Sequence, residues 1–236
     1  MTIHTLRALK DNFIYALVDE GQCAIVDPGE AAPVQQFLAR HGLRLTHILC
    51  THHHHDHVDG ISALQSATGC RVLSSYIDKS RVCGVTDPVR ENDPFTLFGA
   101  PMKIFEIPGH TQGQIAYYFP TLKAVFPGDT LFSCGCGRLF EGSPEQMFSS
   151  MVKLRSLPTD TKVYFGHEYT IRNAEFLLAQ GQNEAVRIHK EQCERRVQQG
   201  FDTTPTELAL EIKINPFLNA ATAAEFARWR DLRNHW

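Results

Sequence analysis

Short apolar runs alternate with amphipathic segments through the first two thirds of the chain, which is the pattern of an α/β fold. The apolar runs predict strands, with a hairpin around Glu20-Gly21, and helical spacing predicts helices that end at Gly42 and Gly69. The predicted strands cover residues 13–18, 23–26, 46–50 and 71–73, and the predicted helices cover residues 32–41 and 60–68. Residues 76–94 have little periodicity and are expected to lie on the surface.

Four apolar runs that predict strands stop at a residue able to bind metal. These runs lead to His52, His110, Asp129 and His167. Before three of these residues stands a glycine, which lets the backbone turn sharply. The ends of strands at one edge of a sheet combine a rigid scaffold with loops that carry polar groups. We therefore predict a functional site at such an edge.

The last third of the chain changes character, because helical patterns replace strand-like runs after His167. Ser143-Pro144 with Gln146 predicts a capped helix that ends near Leu157. Further helices are predicted over residues 171–180 and 184–199, then a loop with Pro205 and Pro216, then a last helix opened by Thr222 and Glu225. We divide the chain into an α/β domain over residues 1–168 and a helical domain over residues 169–236, and expect no further strand of the same apolar type in the second.

The strongest chemical signal in the sequence is the run THHHHDH at residues 51–57. Neutral imidazole and carboxylate are the groups that borderline divalent metals prefer. With the strand-end residues, the candidate ligands are His52, His54, Asp56, His57, His110, Asp129 and His167. Seven groups exceed the four ligands of one tetrahedral ion, so we predict two ions that share a bridging carboxylate and a bridging water.

Some residues near these motifs have competing interpretations. His53 would point away from its histidine neighbours on an extended backbone, whereas His55 stays open as a ligand. Cys134 and Cys136 could act as soft ligands, but the set is complete without them, so a tight loop is favoured. A lone histidine is more often structural than a ligand. The shared strand-end placement argues against that interpretation for the whole set.

Composition narrows the function to a small, specific substrate. The chain has 236 residues and a net charge of -3, so it offers no broad basic field to nucleic acid or to an anionic membrane. No apolar run approaches the roughly 20 residues that span a bilayer, and the first residues lack a signal-peptide pattern. Seven cysteines without a disulfide or zinc-ribbon spacing indicate a reducing compartment. We expect a cytoplasmic monomer with no nucleic-acid or membrane partner.

These motifs resemble those of the metallo-β-lactamase superfamily and, within it, of the glyoxalase II or hydroxyacylglutathione hydrolase family. The likeness is carried by residues 51–57 and by the segments PGHT, GDT and GHEYT, which begin at Pro108, Gly128 and Gly166. More specific marks are Asp11-Asn12-Phe13, CGCGR from Cys134, Asn173, and NPF from Asn215. The resemblance covers nearly the whole chain. It implies an α/β fold, the four-layer αββα sandwich of the metallo-β-lactamases, followed by a small C-terminal α-helical domain that completes a thioester site.

The same resemblance implies roles for individual residues. One metal would be held by His52, His54 and His110, the other by Asp56, His57 and His167, with Asp129 as the bridge. Asp56 and Asp129 would be the catalytic residues, and the nucleophile would be hydroxide made on the metals. Glutathione would be bound by Arg138, Tyr169, Arg230 and Arg233. The two divalent ions would be zinc, with iron or manganese as alternatives. The chain departs from the family pattern at Phe140, Asn219 and Arg233.

The resemblance also implies the reaction, which would be hydrolysis of S-D-lactoylglutathione, or another S-(2-hydroxyacyl)glutathione, to glutathione and D-lactate, the second step of methylglyoxal detoxification. A thiol has a pKa of about 8.5, so the thiolate leaves without strong acid help. The alternatives are another hydrolase of the superfamily (a lactonase, a β-lactamase or a different thioesterase), a mono-iron persulfide dioxygenase, and a metal-binding or nucleic-acid-processing module. The negative charge argues against nucleic acid.

Overall fold

The hairpin predicted around Glu20-Gly21 forms part of a six-stranded sheet in the computed structural model, which describes residues 1–181 and 184–236. The chain divides into unit 1, residues 1–106 and 113–122, and unit 2, residues 107–112 and 123–236. The sheet lies in unit 1 and has the order β1 (Thr2–Ala8), β2 (Asn12–Asp19), β3 (Gln22–Val26), β4 (Arg44–Leu49), β5 (Arg71–Ser75) and β6 (Asp87–Val89).

Strand direction in this sheet changes at β3. β1, β2 and β3 pair antiparallel, whereas β3, β4, β5 and β6 pair parallel. The helices of unit 1 are α1 (Ala31–His41), α2 (His55–Val58) and α3 (Ile61–Thr68), and three antiparallel strands complete it, β7 (Phe95–Leu97), β8 (Ala100–Glu106) and β9 (Ile115–Phe119). Gly42 and Gly69 end α1 and α3 in the left-handed conformation, as their positions in the sequence predict.

The core of unit 1 joins the apolar side chains of the sheet to those of α1 and α3. Ile25 and Ile48 of the sheet pack in one cluster with Val34 of α1 and Leu64 of α3. Most of the predicted surface segment 76–94 is exposed, and it also contains the short edge strand β6, which the sequence did not predict and which pairs with β5. A strand of three residues is too short to give a periodic signal.

Unit 2 contains short strands and most of the helices. Its strands are β10 (Ala124–Gly128), β11 (Leu131–Phe132), β12 (Gly135–Cys136), β13 (Lys162–Phe165) and β14 (Thr206–Glu207). Its helices are α4 (Pro144–Arg155), α5 (Thr170–Ala179), α6 (Glu184–Gln198), α7 (Leu208–Ile214), α8 (Pro216–Asn219) and α9 (Ala223–Asn234). β10 and β13 are parallel, and β11 and β12 form a small antiparallel hairpin.

In unit 2, the predicted helix starts agree with the structure better than the predicted loop and strand-free segments do. Ser143 and Gln146 form the predicted capping box of α4, and the Thr222 hydroxyl accepts from the Glu225 backbone at the start of α9. After His167 the described residues contain one further strand, the two-residue β14, which is not an apolar run and which the sequence did not predict; it pairs with β13. The loop predicted around Pro205 and Pro216 is wrong, because α7 and α8 lie within it. No helix in the described part of the chain is long and apolar enough to cross a bilayer.

Candidate metal site

The run at residues 51–57 leaves the carboxyl end of β4 and enters the short helix α2. His52 is fully buried, and its Nε2 lies 3.1 Å from Nδ1 of His54. Two nitrogens bound to one tetrahedral ion at 2.0–2.1 Å each are roughly 3.3 Å apart. The two imidazoles therefore have the spacing of two ligands of one ion.

Asp27 organises this cluster in unit 1. Its carboxylate accepts hydrogen bonds from the backbone N–H of Thr51 at 2.8 Å and from the Thr51 hydroxyl at 2.7 Å, and lies 3.1 Å from Nδ1 of His57. Because a carboxylate accepts, Nδ1 of His57 donates, and Nε2 is therefore the ring nitrogen that carries the lone pair needed to bind a metal. One ligand atom each of Asp27, His52 and His57 lies within 4.8 Å of the others.

Sequence reasoning missed Asp27, because Asp27-Pro28-Gly29 predicts only a turn. The signal was present, since this aspartate follows a strand in the same way as the predicted ligands do. β3 runs parallel to β4 with Val26 opposite Leu49, which brings the two strand ends to one edge of the sheet. The strand-end argument, applied to β3, would have found it.

Asp56 is oriented by the residue that opens β2. Asn12 donates from Nδ2 to Oδ2 of Asp56 at 2.9 Å and to its carbonyl oxygen at 3.1 Å. The same Oδ2 lies 3.5 Å from Nε2 of His57. Gly29 passes so close that a Cβ there would lie 1.9 Å from the carbonyl oxygen of Asp56. Only glycine fits at this position.

The two histidines between the predicted ligands have other partners. Nδ1 of His53 lies 3.1 Å from Oδ2 of the buried Asp78. His55 begins α2, has a side chain 94% exposed, and pairs with Asp59 one turn later. The structure thus resolves the open question about His55, which faces solvent.

A second cluster lies in unit 2, where the parallel strands β10 and β13 end side by side. Oδ2 of Asp129 lies 3.1 Å from Nε2 of His167 and 3.6 Å from Nε2 of His110. All three side chains are buried. The structure thus brings these three predicted residues together, with one carboxylate oxygen between two imidazole nitrogens.

The imidazoles of His110 and His167 in this second cluster each contact a further group that fixes their orientation. Nδ1 of His110 donates to the carbonyl oxygen of Arg138 at 2.8 Å, since a carbonyl can only accept. Gly137 allows this approach, because a Cβ there would lie 1.9 Å from the carbonyl oxygen of Asp129. The ring of Tyr169 stacks on that of His167, with centroids 4.8 Å apart and planes within 2°.

The predicted glutathione-binding arginines lie in unit 2 and differ in exposure. The Arg138 side chain is exposed, Arg233 is partly buried, and Arg230 is 5% exposed. NH1 of Arg230 donates to the carbonyl oxygen of Cys136 at 2.8 Å. Burial lowers the pKa of Arg233 to about 10, and the positive charges of Arg230, Arg172 and Arg138 add to the effect. Concentrated positive charge of this kind suits an anionic ligand.

Cys134 and Cys136 belong to a tight hairpin rather than to a metal cluster. Leu131 and Phe132 pair with Gly135 and Cys136 around a two-residue turn. Burial raises the pKa of both thiols, which disfavours the thiolate that a metal needs. In the part of the chain that the structure describes, the groups able to hold an ion contain no cysteine.

Two family models together match almost the whole chain. The metallo-β-lactamase superfamily model matches residues 9–167, and the model of the hydroxyacylglutathione hydrolase C-terminus matches residues 168–236. The chain belongs to the hydroxyacylglutathione hydrolase family of the metallo-β-lactamase superfamily. The family predicted from the sequence motifs is confirmed.

Individual relatives agree with this assignment. A hydroxyacylglutathione hydrolase from Pelagibacter ubique is 38% identical over the full length of both chains. One from Pseudomonas aeruginosa is 45% identical and covers 93% of this chain and 86% of its own. Among solved structures, ETHE1 from Myxococcus xanthus superposes with a TM-score of 0.76 at 26% identity and covers 99% of this chain and 92% of its own.

These similarities also confirm the predicted fold class. The chain has the metallo-β-lactamase fold with mixed sheets, followed by a helical C-terminal region. The clustered imidazole and carboxylate groups are the donor set of a divalent metal site.

Proposed function

We propose that this protein is a metal-dependent thioester hydrolase that converts S-D-lactoylglutathione, and related S-(2-hydroxyacyl)glutathiones, to glutathione and D-lactate. In this role it would catalyse the second step of methylglyoxal detoxification. The observation that carries the proposal is the pair of His/Asp clusters on a chain whose residues 168–236 match the C-terminus of hydroxyacylglutathione hydrolases. Relatives at 38% and 45% identity bear that name.

The proposed cofactor is a pair of divalent ions, zinc or alternatively iron or manganese. One ion is assigned to His52, His54 and His110, the other to Asp56, His57 and His167, with Asp129 as the bridge. The donor chemistry fits, because Nδ1 of His57 and Nδ1 of His110 each donate to another group, so that Nε2 is the nitrogen with the lone pair a metal requires. When bound, such ions lower the pKa of a shared water towards about 7 and polarise a carbonyl.

The residues of the chain supply orientation to this chemistry. Asp27 and the carbonyl of Arg138 fix the tautomers of His57 and His110, and Asn12 fixes the carboxylate of Asp56. Water adds to the acyl carbon, the carbon–sulfur bond breaks, and the products are a carboxylate and the thiol of glutathione. Because the thiolate is a stable leaving group, the site needs no separate acid residue.

The proposed substrate-binding residues are Arg138, Tyr169, Arg230 and Arg233. Glutathione carries two carboxylates, which guanidinium groups bind with paired hydrogen bonds. None of the three arginines forms an ion pair with a carboxylate of the described residues, so their charge is available to a ligand. Tyr169 stacks on the metal-ligand candidate His167, which connects substrate binding to the metal cluster.

The proposal extends to organisation and location. Residues 1–168 would form the metal-binding domain and residues 169–236 the helical glutathione-binding domain. We place the protein in the cytoplasm as a monomer without nucleic-acid or membrane partners. All seven cysteines are free thiols, as a reducing compartment requires.

A parallel assay of three substrate classes tests this function. The purified protein is offered S-D-lactoylglutathione, a lactone and a β-lactam, before and after metal removal by a chelator and restoration with zinc. We expect thioester hydrolysis that disappears with the metal and returns with it, and much slower hydrolysis of the other two. Preference for the lactone or the lactam would contradict the proposed substrate, and unchanged activity without metal would contradict the mechanism.

A further inference from the structure

The β11–β12 hairpin is held by side chains from three helices of unit 2 and by Asn215, the residue between α7 and α8. Asn215, before α8, donates from Nδ2 to the carbonyl oxygens of Phe132 and Gly135, each at 3.1 Å. Asn173 of α5 donates to the carbonyl oxygen of Ser133 at 3.1 Å. Arg230 of α9 donates to the next carbonyl of the hairpin, that of Cys136. This turn is therefore fixed mainly by side chains distant in sequence.

The third helix, α7, contributes the buried carboxylate of Glu211, which has no role in the hydrolysis described above. Glu211 is completely buried and accepts four hydrogen bonds. Oε1 accepts from the hydroxyls of Ser133 and Thr206, each at 2.7 Å. Oε2 accepts from the Cys134 backbone N–H at 2.9 Å and from Asn215 Nδ2 at 3.1 Å.

Four donors match the acceptor capacity of an ionised carboxylate. Burial raises the pKa of Glu211, whereas the four hydrogen bonds oppose that rise. Burying a carboxylate at a hairpin turn costs folding free energy, which well-placed hydrogen bonds to that carboxylate only partly offset. The structure therefore indicates that the position of this turn matters beyond folding.

The hairpin leads within two residues to the backbone group that orients His110. Cys136 ends β12, and Gly137 then donates its N–H to the Thr130 carbonyl at 3.2 Å. The next carbonyl, that of Arg138, accepts from Nδ1 of His110. A shift of the hairpin would move this carbonyl and release the imidazole from its fixed tautomer.

We propose that Glu211 is a positioning residue for the metal ligand His110, acting through the β11–β12 hairpin and the carbonyl of Arg138. The helical C-terminal region would then set the geometry of the metal cluster in addition to binding substrate. This inference rests on the role of His110 in the proposed function. Outer groups that orient a ligating histidine typically contribute about 10- to 100-fold to metal affinity.

Zinc affinity of the metal-free full chain, measured by competition with a chelator, tests the inference without any substrate. Glu211→Leu removes all four acceptor contacts, and we expect the weaker of two zinc-binding steps to lose about 10- to 100-fold in affinity. Glu211→Gln keeps an oxygen for the Cys134 N–H, and its amide can donate to the two hydroxyls. We expect this variant to stay within about fivefold of wild type, which a general loss of packing would not explain.

Two references make the outcome decisive. Leu154→Ala opens a cavity at the buried face of α4. This variant should have a lower unfolding temperature and an unchanged zinc affinity. His110→Ala should weaken the same zinc step as Glu211→Leu. Wild-type zinc affinity in Glu211→Leu, when His110→Ala has weakened it, would overturn the positioning role alone. Unchanged affinity in His110→Ala would overturn the metal site itself.

Nitrogen NMR of the wild-type protein gives an independent test if Glu211→Leu fails to fold. The hydrogen bond to the Arg138 carbonyl requires a proton on Nδ1 of His110. We expect the Nδ1-protonated tautomer for His110 in the wild type and also in Glu211→Gln, whose side-chain amide keeps the contacts to the hairpin. An unprotonated Nδ1 in the wild type would overturn the proposal.

Discussion

The two clusters of candidate metal ligands, one in each unit, are supported in different ways. In unit 1, a side-chain carboxylate contacts the imidazole directly, since Asp27 lies 3.1 Å from Nδ1 of His57. In unit 2, a backbone carbonyl orients His110, and helices distant in sequence hold that carbonyl in place through the β11–β12 hairpin. The first arrangement is local to one sheet edge, whereas the second depends on tertiary packing. Substitutions should therefore act locally in unit 1 and from a distance in unit 2.

The largest expected effect separates two neighbouring histidines of unit 1. His54→Ala removes a predicted ligand whose Nδ1 faces His52, and we expect thioester hydrolysis to fall by on the order of a thousandfold with loss of metal. His55→Ala is the matched control, because that side chain is 94% exposed. Steady-state kinetics and metal analysis of both variants check this. Equal loss in the two would mean that α2 matters only as a folded segment.

Asp27→Asn should produce the next largest effect. The amide oxygen can still accept from the Thr51 N–H, but the amide NH2 group cannot accept the hydrogen bond that Nδ1 of His57 donates. We expect metal affinity to fall by about 10- to 100-fold, with little change in KM. Chelator competition and kinetics at saturating metal distinguish the two quantities. A variant with wild-type metal affinity would remove the contrast between local and distant support.

Arg233→Ala probes substrate binding in unit 2. Loss of one charge-assisted contact to a glutathione carboxylate should raise KM by about tenfold, with kcat little changed. The effect should shrink as salt is added, because the partly buried guanidinium lies among other arginines. Arg155→Ala, on the exposed end of α4, serves as the control. An unchanged KM in Arg233→Ala would make this arginine structural.

The smallest expected effect concerns pH. Burial lowers the pKa of His189 below its usual 6.5, and its Nε2 donates to Ser133, whose hydroxyl donates to Glu211. The unfolded chain binds this proton first, so the stabilisation is complete above pH 6.5 and is lost as pH falls below it, by at most about 1.4 kcal/mol per pH unit. Denaturant unfolding of metal-free His189→Gln should show a shallower decline than wild type. His41→Gln is the control, because His41 is exposed, and this variant should lose stability with falling pH as steeply as the wild type.

Sequence patterns predicted which candidate ligands lie close together within each cluster, but not the groups that hold their side chains. The parallel strands β10 and β13 place Asp129 and His167 at one edge, as their apolar runs and glycines predict. Family resemblance supplied the division of the ligands between two ions, which spacing alone leaves open. Asp27 was missed because an Asp-Pro-Gly turn is common and its role appears only when β3 pairs with β4.

Tertiary contacts account for the remaining differences. The role of Glu211 depends on a hydrogen bond to Cys134, 77 residues away in the sequence, and no local pattern encodes that pairing. Helix α7 and strand β14 were missed because they are short and lie near Pro205 and Pro216, which predict a loop. The helix starts at Ser143 and Thr222 were predicted correctly, because capping is decided within one turn.

Hydrolysis of S-D-lactoylglutathione by the wild type and by Asp129→Ala, with metal content measured on both, tests the central claim most directly. Asp129 lies between the imidazoles of His110 and His167 and is the proposed bridge between the two ions. We predict two ions per wild-type chain with thioester hydrolysis, and loss of both metal and activity in the variant. Full activity in Asp129→Ala after loss of its metals would contradict the account.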